Sequence, residues 1–351
     1  MNPERETSLP SLLSAIAAGI MMCMGLAAAV GIGPLDLVTT IAQGAWGGSG
    51  AAINTLTKMT PLLLTGLSVT LAYRVGLLNV GCEGQLTLGA LVCAAFARVA
   101  APLPSFLLAP LALVAGGIAG GIWAYPAVVL RRRRGVHEVI STLLLNYIAI
   151  LLCSYLVEGP LGDGSGMGRT PQIPEGAEVP VLFESGSLCL TPGPFLALLL
   201  CFAASLWLSR TVWGFEARSV GSSPEAALNA GIAASGWQTR IFILSGALAG
   251  IAGAMEVLAV HHRFYRAFSP GYGFDGLTAA FLANGSPEWL WLSTLFLASL
   301  RSADKYLQIG LNVSPSFIWV VQAVLLLAVA CKDGIWPLLT RIFRVRSWPR
   351  H

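Results

Sequence analysis

Charge is scarce in this chain: only 11% of its 351 residues are Asp, Glu, Lys or Arg, against roughly 25% in an ordinary soluble domain. With 55% hydrophobic residues there is too little polar surface to face water on every side, which excludes a soluble globular protein. Histidine is scarcer still. His137 adjoins a run of arginines, His261 and His262 adjoin each other, and His351 is the last residue. No His, Ser and Asp constellation converges within an apolar segment, which argues against an intramembrane enzyme. The seven cysteines, Cys23, Cys82, Cys93, Cys153, Cys189, Cys201 and Cys331, form no CxxC pair and have no His at metal spacing. Neither a zinc site nor a disulfide framework is expected. There is no GxxxxGK[ST] phosphate loop, so any energy from nucleotide hydrolysis must come from a partner. The formal charge of +4 is too small to indicate a nucleic-acid partner.

What is abundant is apolar runs near the ~20 residues that cross a bilayer. They fall at residues 11–30, 57–78, 80–99, 105–130, 138–157, 194–209, 238–260, 274–283, 289–300 and 314–330. This predicts an all-α polytopic membrane protein, one membrane domain over residues 1–351, with about ten transmembrane helices. The first run is longer than a signal-peptide core of ~7 to 15 apolar residues and reads as a retained helix. The eighth run is too short to span alone, and Gly81 and Gly84 separate the second from the third, so both places read as broken helices.

Arg131, Arg132, Arg133 and Arg134 set the orientation: the positive-inside rule places them in the cytoplasm. The N-terminus, Arg210, Arg218, Arg240 and the tail 332–351 then fall on the same side. Residues 158–192, rich in Gly and Pro, become an external loop, and 210–237 a cytoplasmic segment.

Two stretches repeat a pattern. Gly81-Cys82-Glu83-Gly84 precedes Gln85-Leu86-Thr87, and Gly273-Phe274-Asp275-Gly276 precedes Leu277-Thr278. Each is a glycine-bracketed carboxylate entering a helix, and the two helices run oppositely across the membrane in the predicted topology. Two inverted-repeat halves follow, with a substrate site near their interface. Glu83 and Asp275 are costly in lipid unless paired, hydrated or protonated. They either line a pathway or cap backbone N–H groups where the helices break. Glu256 has no obvious intramembrane cation and could lie near the outer interface within reach of Arg263. Asn79, Gln85 and Asn146 are amides that either grip a polar solute or join helices; with Glu83, Phe274 and Asp275 they form the candidate substrate pathway. Gly116, Gly117, Gly120 and Gly121, and Gly246, Gly250 and Gly253, stand at spacings that let helix backbones touch.

In the cytoplasmic segment, Ser223 can act as N-cap, Pro224 occupies the first helical position, Glu225 favours the positive helix end and Gly231 can end the helix left-handed. Two turns of helix are marginal in water, so this one is expected to pack against a partner. The segment around Glu216, Arg218, Pro224, Glu225, Ala226, Ala227 and Gly231 resembles the EAA-type coupling segment of ABC permeases. The chain as a whole, over about residues 62–330, resembles nucleoside and simple-sugar permeases that work with basic-membrane-protein-type binding lipoproteins. The matching stretches are residues 78–85, 138–142 with 145–149, the coupling segment, 245–254 and 271–276, in the family's order. Residues 281–289 depart from the family's short, glycine-ending stretch and Pro-Gly turn. The resemblance implies a type II importer-like permease that binds no cofactor itself. It would work with a cytoplasmic ABC ATPase that uses ATP, a second permease subunit, an external substrate-binding lipoprotein and the lipid of a bacterial cytoplasmic membrane. The alternative is an ion-coupled secondary transporter of a small polar solute, with Glu83, Asp275 or Glu256 carrying protons; an ATP requirement for uptake separates the two.

Overall fold

The computed structural model describes residues 31–312 apart from Ser187, with scattered residues between 21 and 28 and between 314 and 327. Most of the predicted first and last helices, and the tail 332–351, lie outside the described residues.

The described helices are α1 (Pro34–Trp46), α2 (Ser49–Arg74), α3 (Cys82–Val99), α4 (Ser105–Arg134), α5 (Glu138–Glu158), α6 (Gly193–Arg210), α7 (Val212–Ser222), α8 (Pro224–Asn229), α9 (Ala234–Glu256), α10 (Tyr272–Leu282), α11 (Pro287–Ser302) and α12 (Asp304–Leu311). Five of them, α3 to α6 and α9 with its extension to His261, are long and apolar enough to cross a bilayer. The chain is a mostly helical, polytopic membrane protein.

α2 is the central post. From Met59 to Ala72 every residue is buried, the pattern of a helix surrounded on all sides. It packs against α6, α9, α10 and α11. Two of its buried hydroxyls are satisfied inside the bundle: Thr65 donates to Pro61 O at 2.7 Å and Ser68 bonds the Ser245 hydroxyl at 2.9 Å.

α3, α4 and α9 form the tightest layer, and glycine makes it possible. A Cβ on Gly120 would meet the Gly246 carbonyl, and one on Gly250 the Gly116 carbonyl. A Cβ on Gly253 would strike the Leu86 carbonyl of α3, while one on Gly89 would meet Gly250. The backbones therefore touch where the glycine spacings predicted close packing.

Several boundaries differ from the sequence reading. The four arginines are the last turn of α4 rather than a loop beyond it, and Gly135 ends the helix at φ 66°. α1 and α12, packed together, were not predicted; both are short and carry polar residues such as Asp36, Gln43, Asp304 and Lys305. The stretch 158–192 contains a small antiparallel hairpin, Phe183–Ser185 with Leu188–Leu190, which the all-helical reading lacked. This stretch is laid against the segment after α9 by backbone bonds from Val179 N to Leu258 O at 3.0 Å, Ile173 N to His262 O at 2.9 Å and Thr170 N to Phe264 O at 2.8 Å. Arg266 and Glu158 add an ion pair at 2.9 Å. Within the stretch, hydrogen bonds from Ser165, then from Arg169, hold the Asp163 carboxyl at about 2, below the usual carboxylate range.

Candidate functional site

The break between α2 and α3 is a stitched joint. Gly76 turns the chain at φ 75°, and three amides replace the backbone bonds that the interruption removes. Asn79 Oδ1 accepts from Gly81 N at 2.9 Å, and Asn79 Nδ2 donates to Gln85 Oε1 and to Ser245 Oγ, both at 2.8 Å. Gln85 Nε2 donates back to Asn79 Oδ1 at 3.2 Å. From α5, Asn146 spans the same joint, donating to Val80 O and accepting from Gly84 N, each at 2.8 Å. All three amides are buried. The free N–H groups that open a helix are thus met from within the bundle. Farther along, Glu138 pairs with Arg131 and lies 3.4 Å from Leu78 N as its acceptor.

The second broken helix, α10, starts at Gly271, whose φ of 99° favours glycine. Ser269 Oγ accepts from Gly271 N and Tyr272 N at 3.2 Å. The next donor, Gly273 N, reaches Glu83 Oε2 at 2.7 Å. Glu83 therefore sits in the first turn of its own helix and caps α10, where a carboxylate near an N-terminus is electrostatically favoured. The approach demands glycine: a Cβ on Gly273 would lie 2.6 Å from Glu83 Cα. Thr65 of the central post lies 3.1 Å from Tyr272 O, so its one hydroxyl hydrogen is shared between that carbonyl and Pro61 O.

Asp275 meets Arg301 of α11 at 2.6 Å, with side chains 7% and 11% exposed. The two charges are in direct contact inside the protein, where each compensates the other's burial. Arg301 also donates to Pro270 O at 3.2 Å, and its own carbonyl accepts from Lys58 Nζ at 2.7 Å. Of the six candidate pathway residues, five are buried and Phe274 is exposed.

Arg301, Lys58, Ser245 and Ser269 were not singled out from the sequence. For the first two a signal was present: isolated basic residues inside or beside apolar runs are as costly as the carboxylates. Glu256 corrects the expectation of Arg263. Its Oε2 lies 3.5 Å from His261 Nε2, because the chain leaves α9 through a π-helical turn, Val257–His261, that folds His261 back. Arg263 instead donates to Gln172 Oε1 at 3.1 Å.

The segment between α6 and α9 holds two helices where one was expected. α8 has the predicted ends: Ser223 Oγ accepts from Ala226 N at 3.2 Å, Pro224 opens it, and Gly231 follows at φ 81°. Ala227 is buried, whereas Pro224, Glu225, Ala226 and Leu228 are exposed, leaving an open face. α7 precedes it. Its Glu216 accepts from Trp237 Nε1 at 2.8 Å, and Arg218 is exposed. The end of α7 bears on the end of α2, since a Cβ on Gly221 would strike the Arg74 carbonyl. Arg74 Nε in turn donates to Gly285 O at 2.7 Å, in the turn between α10 and α11. That turn carries two left-handed residues, Asn284 and Gly285.

The pattern of the family described as branched-chain amino acid transport system / permease component matches residues 51–330. The chain is 33% identical over 294 residues to the glucose ABC transporter permease protein of Haloferax volcanii, covering 79% of this chain and 75% of that one. It is 33% identical over 285 residues to the guanosine ABC transporter permease protein of Bacillus subtilis, covering 80% and 81%. It is 26% identical over 354 aligned positions to a nucleoside ABC transporter permease protein of Lactococcus lactis, covering 99% and 96%.

Proposed function

Because the chain belongs to the permease-component family of the branched-chain amino acid transport system, a permease subunit of an ABC transporter rather than an enzyme, we propose that it forms the translocation pathway of an importer for nucleosides or related sugars. The observation that carries the nucleoside reading is the end-to-end likeness to a nucleoside permease, over 99% of this chain and 96% of that one. The glucose-permease relative keeps sugars as the second class.

On this reading the chain sits in a bacterial cytoplasmic membrane with about ten spans and both termini inside. It works with a cytoplasmic ABC ATPase, a second permease subunit and an external binding lipoprotein. The four arginines at the end of α4 support that orientation through the positive-inside rule. The ATPase contact is the segment holding Glu216, Arg218, Pro224, Glu225, Ala226, Ala227 and Gly231: Pro224, Glu225 and Ala226 form its open face on α8, Arg218 adds an exposed charge from α7, and Glu216, Ala227 and Gly231 hold the segment in shape. A push there has a physical route inward: α7 bears on α2 at Arg74, Arg74 holds the turn at Gly285, and α10 follows that turn. The far end of α10 is tied to α3 by Glu83. Alternating access is then a rocking of the two halves about this tie, between arrangements of similar energy. Asn79, Glu83, Gln85, Asn146 and Asp275 act as the joint, and Phe274 is the pathway contact.

Two results are expected. Uptake of radiolabelled nucleoside falls to background in cells lacking this gene and in cells depleted of ATP with the membrane potential held; uptake surviving ATP depletion but not loss of the proton gradient would favour ion coupling. Separately, Ser223→Ala removes a cap worth about 1 kcal/mol, and Gly231→Val forces a branched residue into a left-handed conformation costing about 1 to 2 kcal/mol. Both should lower uptake per ATP hydrolysed in the assembled, reconstituted transporter while leaving its thermal unfolding nearly unchanged. Unaltered coupling in both variants would remove α8 from the energy path.

A further inference from the structure

A cleft of about 450 Å³ runs along the outside of the bundle between α4 and α9. Its walls are Ile118, Ile122 and Tyr125 on one helix and Ile243 and Ile251 on the other. Gly117 and Gly121 form the floor, and the helices are close enough there that a Cβ on Gly117 would lie 2.9 Å from Ile251 Cγ1. The lining is almost wholly apolar. From Tyr125 to the arginine end of α4 the helix rises by about 10 Å.

The cleft has a charged head. Continuing the α4 face one turn past Val128 brings Arg132, which donates to Thr239 Oγ1 of α9 at 3.3 Å, so the two helices that wall the cleft also close its end. Arg131 is taken by Glu138. Arg132, Arg133 and Arg134 are exposed, and among the described residues they form no ion pair with a carboxylate. Arg240 adds a fourth positive charge on α9 and lies over the Trp237 ring.

An apolar trough that ends in unpaired guanidinium groups matches one molecule abundant at that place, an anionic phospholipid. We propose that one such lipid occupies this cleft, its acyl chain against Gly117, Gly121 and Ala247 and its phosphate at Arg132, Thr239 and the neighbouring arginines. The trough begins about 10 Å from the arginine end and spans residues 114–125 of α4, about 17 Å of helix, so the lipid's phosphate and glycerol occupy the interval and its acyl chain enters the trough beyond Tyr125. Guanidinium groups suit phosphate oxygens as paired donors, and basic clusters at a membrane helix end attract anionic lipid. The lipid would sit on the glycine-packed α4–α9 contact, sealing the side where small residues leave the backbone least covered.

The test uses the full transporter, purified with its partner subunits and reconstituted in bilayer discs of phosphatidylcholine with or without phosphatidylglycerol. Native mass spectrometry should show wild-type protein retaining phosphatidylglycerol over phosphatidylcholine by on the order of tenfold. Arg132→Gln with Arg133→Gln and Arg134→Gln should abolish the preference. Ala247→Phe, which fills the trough and leaves every arginine, should lower retention of both lipids; its circular dichroism and subunit assembly report folding independently. Equal retention of both lipids by wild type, or a preference that survives the triple replacement, would overturn the proposal. So would loss of ATPase binding by the triple variant in phosphatidylcholine alone, which would assign the arginines to a protein contact.

Discussion

Arg301→Met should all but eliminate folded transporter, because it strands Asp275 in the interior without its counter-ion. The pair is buried on both sides and 2.6 Å apart, the arrangement in which removing one partner costs about 3 to 5 kcal/mol. That is a large part of the 5 to 15 kcal/mol that holds a typical domain together. Replacing both members, with Asp275→Leu added, removes the stranded charge and should restore most of the lost stability, since apolar substitutes for a buried pair are often neutral or better. The thermal midpoint of detergent-purified protein, with yield as a second reading, measures both. A single variant as stable as wild type, or a double variant no better than the single, would show that the ion pair does not hold α10 to α11. Transport should stay impaired in the double variant if the pair also sets the position of the α10 entrance.

The second large effect contrasts two positions on one helix. Gly250→Ala puts a Cβ into the Gly116 carbonyl and close to Gly120 Cα at 3.1 Å, so α4 must move away from α9. Overpacking of this kind costs about 1 to 3 kcal/mol or more. Gly236→Ala, in the first turn of the same helix, has only Ala233 Cβ within reach, at 3.8 Å. It should stabilise by about 0.4 to 1 kcal/mol through lost freedom of the unfolded chain. The same chemical change therefore carries opposite signs within α9, and a pair of unfolding curves reads both. Equal shifts in one direction would mean that helix propensity rather than backbone contact governs this layer.

How much of this was legible in the sequence depends on the range of the interaction. The caps of α8 rest on Ser223, Pro224 and Gly231, all within a few positions, and local chemistry determined them. The glycine spacings of α4 and α9 announced close approach because small residues in an apolar helix have few other uses. The breaks before α3 and α10 were visible for the same reason. What could not be seen was the partner of each polar group. Glu83 meets an amide 190 positions away, and Asp275 an arginine at the opposite end of the next helix but for a turn. Asn79 and Gln85 satisfy each other, which proximity in sequence permitted but did not require. The α7 helix and the pair α1 and α12 escaped because they are short and half polar: each is amphipathic at helical spacing, but a search for apolar runs long enough to cross a bilayer passes over them.

The Asp275 and Arg301 pairing has one more consequence, for voltage. A single elementary charge moved through 100 mV gains or loses about 2.3 kcal/mol, enough to bias a rocking motion by more than a factor of ten. A carboxylate and a guanidinium locked at 2.6 Å travel as a neutral unit, and the field does equal and opposite work on the two. In the proposed alternating-access cycle, the buried charge that makes α10 costly to place in a membrane therefore gives the membrane potential no grip on its movement, and the direction of the stroke would be set from outside the bilayer.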